Sequence, residues 1–211
     1  FDDAANEKAF LSVAGDTGGL TQLQFQWMLL SPANSAVDPR KLALEGEEGE
    51  YWGKPVAHYW VSCSHNTFLD GDQLGLASVS HSTPDMYRRV MLEGCRSVEI
   101  DCWDGSDGEP IVYHGNTNTT KTTFRLVAMA LADTAFAVND LPVFISIEMH
   151  CSALQQQKVA AYMRSLWGDM LMLPEEVEQM RREGGDAALT PRALRRKLLV
   201  KGKMGKKSSG P

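Results

Sequence analysis

Apolar residues in this chain fall into short runs of two kinds, and the two kinds alternate. The first kind mixes apolar and polar positions with period two and is rich in Val, Ile and aromatic residues, the mark of strands. It predicts strands near residues 58–64, 97–102, 143–148 and 197–202. The second kind repeats apolar positions every three or four residues, the mark of helices. It predicts helices near 83–93, 122–137, 153–167 and 174–183. Pro110-Ile111-Val112-Tyr113-His114 adds a short extended piece, half of a hairpin after the second strand. Strand–helix alternation argues for parallel strands joined by crossover helices. Ahead of this region, Leu20 to Leu30 carry a helical pattern with Thr21 as the N-cap.

The strands share a second feature. Side chains alternate faces along a strand. Glu99 and Asp101 therefore share one face while Val98 and Ile100 take the other. Ser146 and Glu148 do the same beside Ile145 and Ile147, Lys201 and Lys203 do it on the last strand, and His65-Asn66 directly follows the first. Polar groups thus collect at the C-terminal ends of four strands, where parallel β/α barrels carry their chemistry. A full barrel takes around 250 residues. Four strands make half of a TIM-type (β/α)8 barrel, an α/β fold, preceded by a short helical segment.

Composition narrows the picture. The 211 residues are 43% hydrophobic, enough for one substantial core. No apolar run approaches the roughly 20 residues that span a bilayer. The start, Phe1-Asp2-Asp3-Ala4, is acidic, lacks a methionine and does not read as a secretory signal, so the chain is expected to lie inside a longer protein. Cys63, Cys95, Cys102 and Cys151 show no C-x-x-C spacing and read as reduced core residues of an intracellular protein. Net charge is −6, unevenly placed: residues 181–211 hold 10 Lys/Arg against 2 Asp/Glu, while residues 1–180 hold 11 against 25. Most of the basic end reads as a solvated helix and a Gly/Ser/Lys-rich tail, with a few cations left to meet phosphate or a membrane surface. No aromatic residues interleave with it and no zinc-finger spacing is present, which argues against a nucleic-acid partner. Residues 38–54 are acidic and Gly-containing and suit a linker.

Two carboxylates on one buried strand face repel each other and are hard to desolvate. A hard cation with oxygen ligands, calcium or magnesium, would resolve the conflict. His65, Asn66, Glu99 and Asp101 therefore read as parts of one metal-assisted catalytic site. Asp104-Gly105-Ser106-Asp107-Gly108 is not a calcium loop: Glu109 stands where an EF-hand demands Gly, and Gly115 where it demands Glu. His58, His81 and His150 read as structural.

The run from His58 through Ser62-Cys63-Ser64-His65-Asn66-Thr67-Phe68-Leu69 resembles the start of the catalytic X region of eukaryotic phosphoinositide-specific phospholipase C. So do Gly94 to Gly105, Gly108 to Gly115, Phe144 to Ser152 and Lys197 to Lys203, in the family's order. Together these blocks cover residues 55–203, about 70% of the chain. Phe25-Gln26-Trp27-Met28-Leu29-Leu30-Ser31 resembles, more weakly, the helix that closes the family's EF-hand region. The resemblance implies residues 1–37 as the end of an EF-hand-like region, 38–54 as linker, 55–203 as the X half barrel, and 204–211 as the start of a disordered linker to a Y half. One departure stands out: Asn116 occupies a position where many relatives carry histidine.

Roles follow by resemblance. Asn66, Glu99, Asp101 and Glu148 match the ligands of one Ca²⁺ ion. Glu99 also matches the general base, His65 the residue that stabilises the charged transition state, and His114 the general acid. Lys201 and Lys203 match the lysines that bind the 4- and 5-phosphates of the inositol ring. The implied activity is calcium-dependent cleavage of phosphatidylinositol 4,5-bisphosphate to diacylglycerol and inositol trisphosphate through a cyclic phosphate. The implied setting is cytoplasmic, at the inner face of membranes, with a Y region as companion. Two alternatives stand beside it. One is a non-catalytic phosphoinositide-binding scaffold related to the enzyme. The other is a calcium-independent lipase of bacterial type, which Glu99, Asp101 and Glu148 argue against.

Overall fold

The computed structural model describes Phe10, Leu11, Ala14 and residues 19–30, 50–71 and 80–202. Two units separate, Phe1–Leu42 and Ala43–Pro211. In the first, helix α1 spans Gln22–Leu30. Thr21 caps it as the sequence predicts: its Oγ1 accepts from Gln24 N–H at 3.2 Å, while Gln24 Oε1 accepts from Thr21 N–H at 2.9 Å, a reciprocal pair that satisfies two helix-end donors.

The second unit holds two short strands, β1 (Leu69–Asp70) and β2 (His81–Ser82), then α2 (Pro84–Leu92), β3 (Ser97–Trp103), β4 (Ile111–Val112), β5 (Thr122–Thr123), α3 (Phe124–Thr134), β6 (Val143–His150), α4 (Ala153–Trp167), α5 (Pro174–Gly184) and β7 (Leu198–Gly202). The main sheet runs β5-β4-β3-β6-β7. Its β3, β6 and β7 are parallel, and β4 and β5 extend it antiparallel. Val98, Ile100 and Cys102 on β3, with Val143, Ile145 and Ile147 on β6, are buried in a core shared with Phe124, Val127 and Leu131 of α3 and Val159 and Trp167 of α4. Thr83 and Thr123 cap α2 and α3 through their hydroxyls, which is why those helices start where they do. Gly94, at φ +92°, ends α2 in the left-handed conformation a side chain would resist, and turns the chain into β3.

The main helices and parallel strands lie where the periodicity puts them; the short strands β1 and β2 carry no such signal, and β5 takes the first two residues of the helix expected from 122. One larger difference concerns the sheet edge. The first predicted strand, 58–64, is reduced to a parallel bridge between Cys63 and Ser97. Backbone bonds from Ser64 N–H to Ser97 O and from Arg96 and Ser97 N–H to Ser62 O keep it beside β3. Among the described residues nothing pairs with its other edge, and Trp60 is fully exposed. Cys63 is exposed too, contrary to its reading as a core thiol, because it lies on this open edge; the other three cysteines are buried, and all four are free thiols. Glu50–Gly53, at the end of the segment read as a linker, forms a 3-10 turn whose Trp52 stacks on Tyr59 at 5.2 Å. Residues 38–49, Lys203 and residues 204–211 lie outside the described residues.

Candidate active site

Register builds the site. Glu99 pairs with Ser146, which pairs with Lys201; one pleat further, Asp101 pairs with Glu148. Asp101 is buried, and its Oδ1 finds no hydrogen-bond partner among the described residues. Its carboxyl is pushed up from 3.8 to about 6, chiefly by burial, then by the charges of Glu99 and Glu148, with His114 and His150 pulling the other way. One acidic row thus faces two histidines.

The turn after the first strand locks onto this row. Asn66 sits at φ +46°, a conformation asparagine tolerates better than most residues, and its N–H donates to Glu99 Oε2 at 2.8 Å. Thr67 Oγ1 accepts from Glu99 N–H at 3.0 Å. Behind the strand, the buried Tyr87 hydroxyl donates to Glu99 O at 2.7 Å. Glu99 is therefore held at backbone and side chain. His65 Nε2 lies 3.7 Å from Glu99 Oε2, and its ring is largely exposed, open to a substrate.

His114 arrives on the hairpin. Val112 and Ile111 pair with Cys102 and Trp103, and the ladder stops there. His114 follows two residues on, half-buried, with Nδ1 unpartnered among the described residues. The hairpin's base is clamped by Glu109, which accepts from Lys158 Nζ and Tyr162 O–H, each at 2.6 Å. The Asp104–Gly108 loop rejected as a calcium loop proves structural: Asp104 Oδ1 accepts from Ser152 N–H at 3.0 Å, at the start of α4, and Asp107 Oδ1 accepts from Glu109 N–H.

Residues 52–204 match the family described as Phosphatidylinositol-specific phospholipase C, X domain. The chain belongs to that family. Human 1-phosphatidylinositol 4,5-bisphosphate phosphodiesterase eta-1 is 43% identical over 183 residues, covering 85% of this chain and 10% of the relative. The human gamma-2 form is 41% identical over 181 residues, again 85% of this chain and 13% of the relative. The crystal structure of S. officinalis PLC21 superposes with a TM-score of 0.63 at 32% identity, covering 99% of this chain and 27% of that one. The X domain here therefore spans a small fraction of the curated relatives it matches.

Within this X domain, His65, Asn66, Glu99, Asp101, Glu148 and His114 gather at one end of the sheet, as their strand positions require. Lys201 is exposed and lies in the Glu99–Ser146 row; Lys203 is outside the described residues. Among the described residues, no three His, Cys, Asp or Glu side chains already stand close enough to hold a metal ion. The donor set nevertheless suits a dication with oxygen ligands: three carboxylates in adjacent rows, one with a buried, unpartnered oxygen. Sequence reasoning gave Trp103 no role and read His150 as structural, and their rings stack at 4.0 Å and 14° beside the acidic row. Carrying the period-two count one step further, from 99 and 101 to 103 and from 146 and 148 to 150, would have found both.

Proposed function

We propose that this X domain is one half of a calcium-dependent phosphoinositide phospholipase C, completed by a Y region, acting on phosphatidylinositol 4,5-bisphosphate at the cytoplasmic face of a membrane. One observation carries the reading: the buried Asp101 carboxyl, crowded by Glu99 and Glu148 and facing His114 and His150. A cluster of like charges at a sheet end is costly unless it has work to do. The residues before Pro55 would then join an EF-hand-like region to the barrel.

In this reading the ring 2-hydroxyl attacks the phosphorus of its own phosphodiester. Glu99, oriented by Asn66 N–H, takes the hydroxyl proton. Exposed His65 offers its N–H to the oxygens on which negative charge builds. His114 gives its proton to the departing diacylglycerol oxygen, releasing the lipid and a cyclic inositol phosphate that water then opens. Calcium, held by Asn66, Glu99, Asp101 and Glu148, would lower the pKa of the hydroxyl and offset phosphate charge. Lys201 and Lys203 meet the ring phosphates as point charges.

The test uses the intact X-plus-Y enzyme in mixed micelles with calcium. His65→Ala and His114→Ala should each lower turnover of the bisphosphate by at least about 100-fold. A wild-type enzyme that binds the lipid without turning it over would make the protein a scaffold instead.

A further inference from the structure

We propose that Trp103 is a positioning residue that sets His114 for proton transfer. This rests on the reading of His114 as the general acid. His114 lies beyond the last ladder pair of β4, so backbone pairing does not fix it. Among the described residues, what remains is a turn bond, Thr117 Oγ1 donating to His114 O at 2.6 Å, and a packing surface for the residues on either side. That surface is the Trp103 indole. A Cβ on Gly115 would fall on it, 2.8 Å from Cη2 and 2.9 Å from Cε2 and closer still to Cζ2, so the chain directly after His114 rests on the ring with no room for a methyl group. Tyr113, directly before His114, packs on the same ring at 5.7 Å, and Lys121 lies over Tyr113 at 4.8 Å.

The indole is also stacked on His150, its register partner across β3 and β6, at 4.0 Å and 14°. His150 Nε2 lies 3.8 Å from Glu148 Oε2. Trp103 thus stands between the strand that carries Glu148 and the loop that carries His114. Displacing the ring removes the surface on which both neighbours of His114 rest, without removing any group assigned to chemistry. A misplacement of about 1 Å in a reacting group costs on the order of 100-fold.

The discriminating substrate is an inositol phosphodiester with a 4-nitrophenyl leaving group, which departs without needing a proton. In the intact enzyme, Trp103→Ala should lower kcat on the natural lipid by about 10- to 100-fold with KM little changed, and lower kcat on the aryl ester by less than about threefold. Trp103→Phe, which keeps a ring, should recover most of the loss. Gly115→Ala should reproduce the selective loss by pushing the loop off the ring, and it decides the matter if Trp103→Ala fails to fold. Equal losses on both substrates, or full activity of Gly115→Ala on the lipid, would overturn the proposal. His114→Ala is run alongside. If it is selective for the lipid and Trp103→Ala is not, the positioning role fails alone. If His114→Ala is itself unselective, the general-acid assignment falls and takes the positioning role with it.

Discussion

Asp101 shows how a residue's surroundings change its chemistry. An exposed aspartate would be ionised across the neutral range; here burial and two neighbouring carboxylates hold the proton to about 6. Its folded pKa lies above the unfolded one, so the folded state binds more protons between about 4 and 6. Without calcium, stability should therefore fall as pH rises through that window, by about 3 kcal/mol in all. Urea titrations of calcium-free protein at steps across this range would show it, and Asp101→Asn should flatten the profile. An unchanged slope in the variant would place the effect elsewhere. At this scale the sequence was informative about identities and mute about distances. Glu99, Asp101 and Glu148 were legible because period two fixes a strand's faces. The bond from Asn66 N–H to Glu99 was not, because it depends on a left-handed residue in a turn. Asn116, at φ +61°, is a related case, a residue type that tolerates this conformation better than most.

Elements were read more easily than their junctions. All the helices but α4 begin at Thr or Pro positions that the sequence displays, and the parallel strands carry their apolar faces openly. Arg96 had no such signal. It is buried between α2 and β3, and its guanidinium donates to Ala135 O at 2.6 Å, Cys95 O at 2.7 Å and Met91 O at 3.2 Å. It satisfies the carbonyl of Ala135 at the C-terminal end of α3 and that of Cys95 in the turn after α2, and adds a second donor to Met91 O, which already accepts from Gly94 N–H. Arg96→Ala would strand the carbonyls of Ala135 and Cys95, each at about 1–3 kcal/mol, and should destabilise the fold by at least about 2 kcal/mol, read as a lowered denaturation midpoint. Arg96→Lys should recover part of this; full recovery would mean that charge, not the planar set of donors, matters. On β7, Lys201 shares a row with Glu99, so its side chain leaves the sheet on the face that carries Glu99. Lys201→Ala should therefore slow hydrolysis of the bisphosphate by about 10- to 150-fold, and that of unphosphorylated phosphatidylinositol far less at matched surface charge. Parallel losses would reduce Lys201 to a general membrane attractant.

At the scale of the molecule, the described strands make part of a barrel. β7 pairs with β6 alone among the described strands, and the first strand reaches its neighbour through one bridge. Val56, Phe144, Met172, Leu199 and Val200 line an apolar hollow beside β7. The half-barrel architecture was legible from strand count and length against the roughly 250 residues of a full barrel. The weakness of the first strand was not, because a strand's order depends on both its neighbours and a sequence shows neither. The catalytic reading asks one thing of this arrangement: that the acidic ends of β3 and β6 converge on calcium. Isothermal titration of Ca²⁺ into the intact X-plus-Y enzyme and its Glu148→Gln variant, well above pH 6 so that Asp101 is ionised, tests this most directly. The account predicts binding to wild type and a loss of at least about tenfold in affinity for the variant, the worth of one charged oxygen ligand. Equal affinity of the two proteins would contradict it.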